Sequence, residues 1–387
     1  MRRLKLLLIA GARPNFMKIA PLIHAIQKIE RNSNAPAIDW RLVHTGQHYD
    51  SVMSEIFFSE LGIPAPHINL EVGSGTQAIQ TANIMREFEP VCLTERPDWI
   101  VVVGDVNSTV ACALVAAKLG IKVAHVEAGL RSCDRTMPEE INRLVTDTLA
   151  DLLLTPSEDA DENLKREGIP DRKIERVGNI MIDAVLANLH KARASTILKQ
   201  NGLSKQQFVY VTLHRPSNVD DPLSLTSIML ELTRLASEIP VVFPMHPRTR
   251  KMCGQFGISV DGINGLKVLE PIGYYDSLCL TENARLVLTD SGGLQEESTF
   301  FRTPCLTLRP NTERPITTTV GSNRLTHLER LRDDIAAVMS QADRFGEIPA
   351  LWDGHTAERI VQVLLQRNGI AAEGSAKPVR PTQPLSC

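Results

Sequence analysis

The chain has 387 residues, of which 43% are hydrophobic and 22% charged, with a formal net charge of −3. That length exceeds one ordinary core and points to two domains, while the near-neutral charge gives no global pull toward nucleic acid or a membrane surface. Aromatics at 4% are too sparse for a base-stacking surface, and seven scattered cysteines with no Cys-x-x-Cys pair read as reduced cytoplasmic thiols, not a disulfide framework or zinc site.

Met1-Arg2-Arg3 ahead of Leu4 to Ala10 superficially resembles a secretory signal. The apolar run is short and Gly11-Ala12-Arg13-Pro14-Asn15 is a poor cleavage region, so a first buried strand is the better reading. No apolar run approaches transmembrane length. Gly11-Ala12-Arg13-Pro14 turns the chain, and Ile19, Leu22, Ile23 and Ile26 give Phe16 to Ile29 a helical period. Further strands are expected at Ile38 to His44, Trp99 to Val103, Ile121 to Val126, Leu152 to Thr155 and Ile174 to Val177. Helices are expected at Ala78 to Glu87 and Ser108 to Leu119, from Pro138, and after Ser157.

Asp183 to Ser204 is helical, polar and less patterned, and reads as the passage between domains. The alternation then restarts, with strands at Phe208 to Leu213, Pro240 to Phe243, Leu266 to Leu269, Arg285 to Thr289 and Cys305 to Leu308. Helices are expected at Leu223 to Leu235 and from Leu294, followed by a loop from Arg309 to Asn323 and two closing helices, the last near Thr356 to Gln366. The tail from Gly369, rich in Ala, Pro, Ser and Gly, is expected to be disordered. Strands alternating with helices predict an α/β protein of two doubly wound parallel-sheet domains. The expected divisions are 1–182, 183–352, a C-terminal helix at 353–368 and the tail 369–387, with a ligand in the cleft between the domains.

The strand ends carry the chemistry, because ligands of open parallel sheets bind at the carboxyl ends of the strands. Two neighbouring strands stop at Asp105 and at Glu127, and Glu139 follows at a helix start. An N-cap competes as the reading of Asp105, and a favourable dipole interaction as that of Glu139. Glu127 has no capping role to explain it. Ser291-Gly292-Gly293 follows a strand and opens a helix, a place where free N–H groups and the dipole suit phosphate. Arg13 and Lys18 flank the first turn, and His214, Arg215, His246, Arg248 and Arg314 lie at other strand ends or loops, so the ligand is expected to be an anion. Acids among phosphate-binding cations suggest proton transfer next to the phosphate. Neither Gly-x-Gly-x-x-Gly nor a Walker A sequence is present, so a nicotinamide cofactor is not expected. His125 reads as an ordinary core histidine. Ser157 to Glu162 and Gln295-Glu296-Glu297 read as including helix-surface charges, Glu297 excepted, because it lies one turn into the phosphate-binding helix.

These residues resemble the non-hydrolysing UDP-N-acetylglucosamine 2-epimerase family over nearly the whole chain. The resemblance rests on Gly104-Asp105, His125-Val126-Glu127-Ala128-Gly129-Leu130-Arg131, Pro138-Glu139-Glu140-Ile141-Asn142-Arg143, Val177-Gly178-Asn179, His214-Arg215, Thr289 to Glu297 and Thr312-Glu313-Arg314-Pro315. It implies two Rossmann-like domains in the glycosyltransferase-B arrangement, with the C-terminal helix packed back on the first. It also implies a homodimer that interconverts UDP-GlcNAc and UDP-ManNAc without metal or nicotinamide, in supply of surface polysaccharide precursors. By position, Asp105, Glu127 and Glu139 match the family's catalytic acids and His214 its catalytic histidine. Arg13 and Lys18 match UDP or phosphate contacts, Ser291, Gly292 and Gly293 the diphosphate turn, Glu297 a ribose-binding carboxylate and Arg314 a cationic contact; Arg215 and His246 are expected beside them.

Three departures stand out. Pro14-Asn15-Phe16 replaces a frequent Pro-Glu-Ala. Ser277 stands where an aromatic commonly stacks on uracil, with Tyr275 as a substitute. Gln47-His48 matches part of a second substrate site found in some members, but Tyr49-Asp50 and Gly73-Ser74-Gly75-Thr76 do not match the remainder, so substrate activation is not expected. The departures leave room for a more decorated sugar, such as a diacetamido uronic acid. A hydrolysing relative that releases ManNAc, a glycosyltransferase and a non-catalytic nucleotide-sugar sensor are the other readings. The three acids in family register argue against the last two.

Overall fold

The computed structural model describes residues 3–31, 38–47, 58, 61–341 and 346–370. Seven strands form the first sheet: β1 (Leu4–Ala10), β2 (Ile38–His44), β3 (Ile68–Asn69), β4 (Trp99–Val103), β5 (Lys122–Val126), β6 (Leu152–Thr155) and β7 (Ile174–Arg176). Their order is β3-β2-β1-β4-β5-β6-β7, and all neighbours are parallel. Both faces are covered, which is why these strands read as unbroken apolar runs. Leu6, Leu8, Val101 and Val103 point into one core, and Leu7, Ile9, Ile100 and Val102 into the other.

The second sheet holds β8 (Val209–Thr212), β9 (Val241–Pro244), β10 (Leu266–Leu269), β11 (Leu286–Thr289), β12 (Cys305–Leu308) and β13 (Asn323–Thr326). It is also parallel, in the order β10-β9-β8-β11-β12-β13. The fold is therefore the expected one, two parallel-sheet α/β domains.

The passage between the sheets is the helix Ile180–Arg193, which packs against Arg13–Glu30 on one side and Tyr274–Asn283 on the other. The expected division at 182/183 falls inside this helix. Its residue Asp183 accepts the amides of Thr356 (3.2 Å) and Ala357 (2.8 Å), which start the last helix, Thr356–Arg367. Ala357, Ile360, Val361, Leu364 and Leu365 repeat at helical spacing and join the core of the first sheet. Trp352 Nε1 donates to the Pro156 carbonyl at 3.2 Å, a further tie from the return segment to the first sheet.

Local differences from the sequence reading have clear causes. The edge strands β3 and β13 were not expected, since one has two residues and the other reads Asn-Arg-Leu-Thr. The helices Pro247–Gln255 and Tyr274–Asn283 were also not expected. The first helix starts at Arg13, earlier than its apolar period, because Asn15 Oδ1 accepts the amides of Gly11 (3.2 Å) and Ala12 (3.0 Å) and closes the turn. Gln295 and Glu296 are not surface charges: both are buried, since their helix is covered by the loop after β12 and by the Asn179 corner. Asp161 is likewise buried, paired with Arg176 and Thr155. Tail residues 371–387 lie outside the described residues. Among the described residues no helix is long and apolar enough to cross a membrane.

Candidate active site

β4 and β5 both leave their sheet through left-handed residues, Gly104 at φ +66° and Glu127 at φ +69°. A Cβ on Gly104 would lie 3.0 Å from Lys18 Nζ and 3.5 Å from Glu127 Oε2, so glycine makes room there for an ion pair. Glu127 is non-glycine in a sparsely populated region, the sort of local strain that collects at functional sites. It is 4% exposed and paired with Lys18 through Oε2, while its buried Oε1 has no hydrogen-bond partner. Asp105 does not cap the next helix, whose N-cap is Val106. Instead, Asp105 Oδ2 accepts from Arg143 Nη2 at 2.7 Å and Nε at 3.1 Å. Glu139 is half-buried in the first turn of Pro138–Leu149. Its neighbour Glu140 is buried and accepts from the amides of Ser132 and Cys133, which ties the preceding loop to the same helix.

On the other sheet, His214 and Arg215 follow shortly after β8, and Asp290 directly follows β11. Asp290 is fully buried and accepts from the His214 amide, the Arg215 amide and Asn218 Nδ2 at 3.0, 2.8 and 3.1 Å. His214 Nδ1 lies 2.9 Å from Asp290 Oδ1. Burial alone would raise the Asp290 pKa; the hydrogen bond and charge of His214 and the two amides outweigh it and hold the carboxyl below its ordinary value. Burial lowers the Arg215 pKa, and the Arg309 charge adds to this, opposed by Glu313, Asp290 and, across the cleft, Glu139. His246 is exposed at a helix start, with its ring 5.7 Å from that of His214, and burial, then His214, lowers its pKa.

Ser291 is the N-cap of Gly292–Phe301, and its hydroxyl makes no capping bond. A Cβ on Gly292 would lie 2.9 Å from both Arg314 Nη1 and Glu313 Oε1, so glycine admits those side chains to the helix end. Gly293 has open space at the same position. Arg314 is buried between two acids, 2.9 Å from Glu296 Oε1 and 2.6 Å from Glu313 Oε1. Burial lowers the Arg314 pKa, but Glu296, Glu313, Glu127 and Asp105 more than reverse this, so it stays charged. Burial would raise the Glu313 pKa, but Arg314 and Arg309 hold it well below the carboxylate range. One turn along, burial and the Glu296 charge push Glu297 up to about 8.

The two halves meet in one cluster. Glu127 and Asp105 from the first sheet act on Arg314 from the second, and Glu296 is influenced in turn by Glu127 and Lys18. Asn179 bridges them directly: Nδ2 donates to Glu296 Oε1 at 2.8 Å while Oδ1 accepts the Met181 amide at 2.9 Å. The structure thus brings Lys18, Asp105, Glu127 and Arg314 together across the two sheets, sets Arg215 within reach of the Glu139 charge and Gly292 against Arg314, and puts His214 beside His246, while Glu297 lies buried one turn along the same helix. Arg13 opens the first helix beside it, but its side chain lies outside what is described, as does His48. Gln47 is engaged elsewhere, accepting from the Ser108 hydroxyl at 2.8 Å. Ser277 bonds the Tyr210 hydroxyl at 2.9 Å, and Tyr275 lies against Lys191.

Sequence reasoning did not single out Asp290, Glu296, Glu313, Arg143 or Asn179. Asp290 had a usable signal, since it is a strand-end carboxylate like Asp105. Among the described residues no group of three or more His, Cys, Asp or Glu side chains could hold a metal ion. Chemically, the site offers a helix N-terminus and the cations Lys18, Arg215 and Arg314 for an anion. Beside them stand carboxylate oxygens, Glu127 Oε1 and Glu296 Oε2, that are buried and unpartnered.

A family model described as UDP-N-acetylglucosamine 2-epimerase matches residues 30–365. The UDP-N-acetylglucosamine 2-epimerase of Methanocaldococcus jannaschii is 42% identical over 370 residues, which is 93% of this chain and 99% of that protein. Its crystal structure in complex with UDP-GlcNAc and UDP has a TM-score of 0.82 at 43% identity, covering 94% of this chain and 100% of that one. The UDP-2,3-diacetamido-2,3-dideoxy-D-glucuronate 2-epimerase of Pseudomonas aeruginosa is 44% identical over 326 residues, 83% of this chain and 88% of that protein.

Proposed function

The chain belongs to the UDP-N-acetylglucosamine 2-epimerase family, and on that footing we propose that it interconverts UDP-GlcNAc and UDP-ManNAc by inverting C2 of the sugar. The observation that carries the reading is Glu127, a buried carboxylate at a strand end with one oxygen paired to Lys18 and the other unpartnered, facing Arg314 of the second domain.

The C2 hydrogen is not beside a carbonyl, so direct deprotonation at neutral pH is prohibitive. Breaking the C1–oxygen bond to the β-phosphate sends the electron pair out with UDP and leaves positive charge at C1, which acidifies C2–H. A carboxylate takes that proton, and the C2–H electrons form the C1=C2 double bond of a 2-acetamidoglucal. The UDP oxygen then re-adds to C1 as a proton is delivered to the opposite face of C2. In this scheme Asp105, Glu127 and Glu139 carry the protons and His214 assists at the leaving oxygen. Lys18, Arg13, Arg314 and the Ser291-Gly292-Gly293 turn stabilise the departing diphosphate, Glu297 holds the ribose, and Arg215 and His246 border the substrate. Closure of residues 1–182 with 353–368 against 183–352 keeps both fragments together and water out.

Incubation with UDP-GlcNAc in deuterated water tests the proposal. It expects UDP-ManNAc carrying deuterium at C2, with little free sugar. Unlabelled substrate with no UDP-ManNAc would sink it, and free ManNAc plus UDP would indicate a hydrolysing enzyme instead. One second reading has support in the Pseudomonas aeruginosa relative at 44% identity. A parallel assay with UDP-2,3-diacetamido-2,3-dideoxy-D-glucuronate separates the two by relative kcat/KM.

We further propose a cytoplasmic homodimer. Exposed Ile79 and Leu93 on Gln77–Glu95, and Ile141 and Val145 on Pro138–Leu149, flank the helix Asn107–Lys118 between them and offer an apolar face for a second copy. Sedimentation at micromolar concentration checks the assembly.

A further inference from the structure

The proposed chemistry leaves His125 unused. His125, on β5, is fully buried, with Nδ1 2.6 Å from Asp147 Oδ1 and Nε2 2.8 Å from the Gly104 carbonyl oxygen. A neutral imidazole carries a single N–H, so it would leave a lone pair facing one of these two oxygens. The alternative, a protonated Asp147, conflicts with its other partners. Asp147 Oδ2 accepts the Gly129 amide at 3.0 Å and lies 2.7 Å from Arg131 Nη1. Burial would raise the Asp147 pKa, but the charges and hydrogen bonds of His125 and Arg131 outweigh it and keep the carboxyl below its ordinary value. A ring protonated at both nitrogens meets both oxygens while Asp147 stays ionised beside Arg131.

The charges around the ring close on themselves. Asp147 comes from the helix Pro138–Leu149, Arg131 from the loop after β5, and Glu167, at the end of Glu158–Arg166, takes two 2.8 Å bonds from Arg131. Within the core Asp147 faces both His125 and Arg131, and Arg131 reaches out in turn to Glu167 at the surface.

The same ring grips the exit of β4. The Gly104 amide donates to the Val126 carbonyl at 3.1 Å, and the Gly104 carbonyl accepts from His125. Both ends of the residue at which β4 leaves the sheet are thus held by β5. Asp105 is the residue after Gly104, and Glu127 the residue after Val126. We propose that His125 is a positioning residue: a doubly protonated imidazolium that locks the Asp105 turn against the Glu127 turn and sets the spacing of these two carboxylates. The charge matters because a hydrogen bond from an ionised donor is shorter and about twice as strong as a neutral one. The functional half of this inference rests on the epimerase reading; the charge state of the ring does not.

The test uses the full chain labelled with 15N-histidine. Long-range 15N–1H spectra should show both His125 ring nitrogens protonated, the signal being assigned by its loss in His125→Gln. A single-N–H pattern near pH 7 overturns the imidazolium. In His125→Gln, kcat should fall roughly 10- to 100-fold, because carboxylates displaced by about 1 Å lose that much. KM and UDP affinity should stay within about twofold, because a fault made only in the transition state leaves ground-state binding alone. Unchanged kcat, or a parallel loss of UDP affinity, overturns the positioning role. If that variant does not fold, Asp147→Asn decides: His125 should then lose one ring proton, and a ring that stays doubly protonated overturns the account. A wild-type chain inactive on both UDP-sugars would sink the function, while the ring spectrum would still decide the charge.

Discussion

His214 Nδ1 lies 2.9 Å from Asp290 Oδ1, and the same buried carboxylate accepts the amides of His214 and Arg215. Asp290 thus fixes both the backbone that carries the imidazole and the proton on its inner nitrogen, leaving Nε2 for the cleft. Asp290→Asn should keep the shape but lose the preference for that tautomer, lowering kcat roughly 100-fold or more with UDP affinity retained. In a His214→Asn background the same change should cost little further, because the two act as one unit. Steady-state kinetics on the four proteins checks this. The depressed Asp290 pKa also has a stability consequence. Its contribution is present above the unfolded carboxyl value of about 3.9 and is lost as pH falls through the lower folded value. Urea midpoints at pH 7 and pH 3 should therefore differ less in Asp290→Asn than in the wild type.

Glu127→Gln and Asp105→Asn should each lower kcat by roughly 10²- to 10⁴-fold, the usual range for a general acid or base. Both should still bind UDP. The informative measurement is deuterium at C2 of recovered UDP-GlcNAc. A variant that exchanges the hydrogen but makes no UDP-ManNAc retains the acid on the GlcNAc face and has lost its opposite. The wild type with either variant's label pattern would contradict the two-sided scheme.

Burial, then the Glu296 charge, pushes the Glu297 carboxyl up to about 8. Its folded pKa lies above the unfolded value of about 4.3, so its effect on stability becomes steadily less favourable from there to about pH 8. A carboxylate accepts ribose hydroxyls best when ionised. UDP affinity should therefore rise between pH 6 and pH 8, by at most about tenfold per pH unit for one linked proton. Glu297→Gln should flatten that rise, which calorimetry at several pH values will show.

Ser277 faces inward, bonded to the Tyr210 hydroxyl. Ser277→Ala should cost about 1 kcal/mol of stability, the typical worth of one internal hydrogen bond. UDP affinity should change little. A tenfold weaker UDP complex would instead mean that Ser277 reads the base.

Much of the fold was legible because parallel strands are covered on both faces. Trp99–Val103 is buried at every position and reads as an unbroken apolar run, as does Leu152–Thr155. Asn323–Thr326 was not legible, since an edge strand with polar residues carries neither signal. In the cleft, Asp105, Glu127 and the Ser291 turn were visible as strand ends. Glu296 was misread as a surface charge because its burial comes from Asn179, 117 residues away in sequence, and from Arg314.

By itself the sequence determined the two parallel α/β units and the acids and cations at their strand ends, because burial on both faces and abrupt strand termination are local properties of the chain. Only the tertiary structure decided what those groups do to one another. It moved Asp105 from a possible cap to a partner of Arg143, and His125 from a core residue to the clamp on Gly104. It set Asp290 behind His214 and left Glu127 Oε1 unpartnered among buried charges. Charge interactions depend on distance and dielectric across elements far apart in the chain, and no local pattern of residues encodes either.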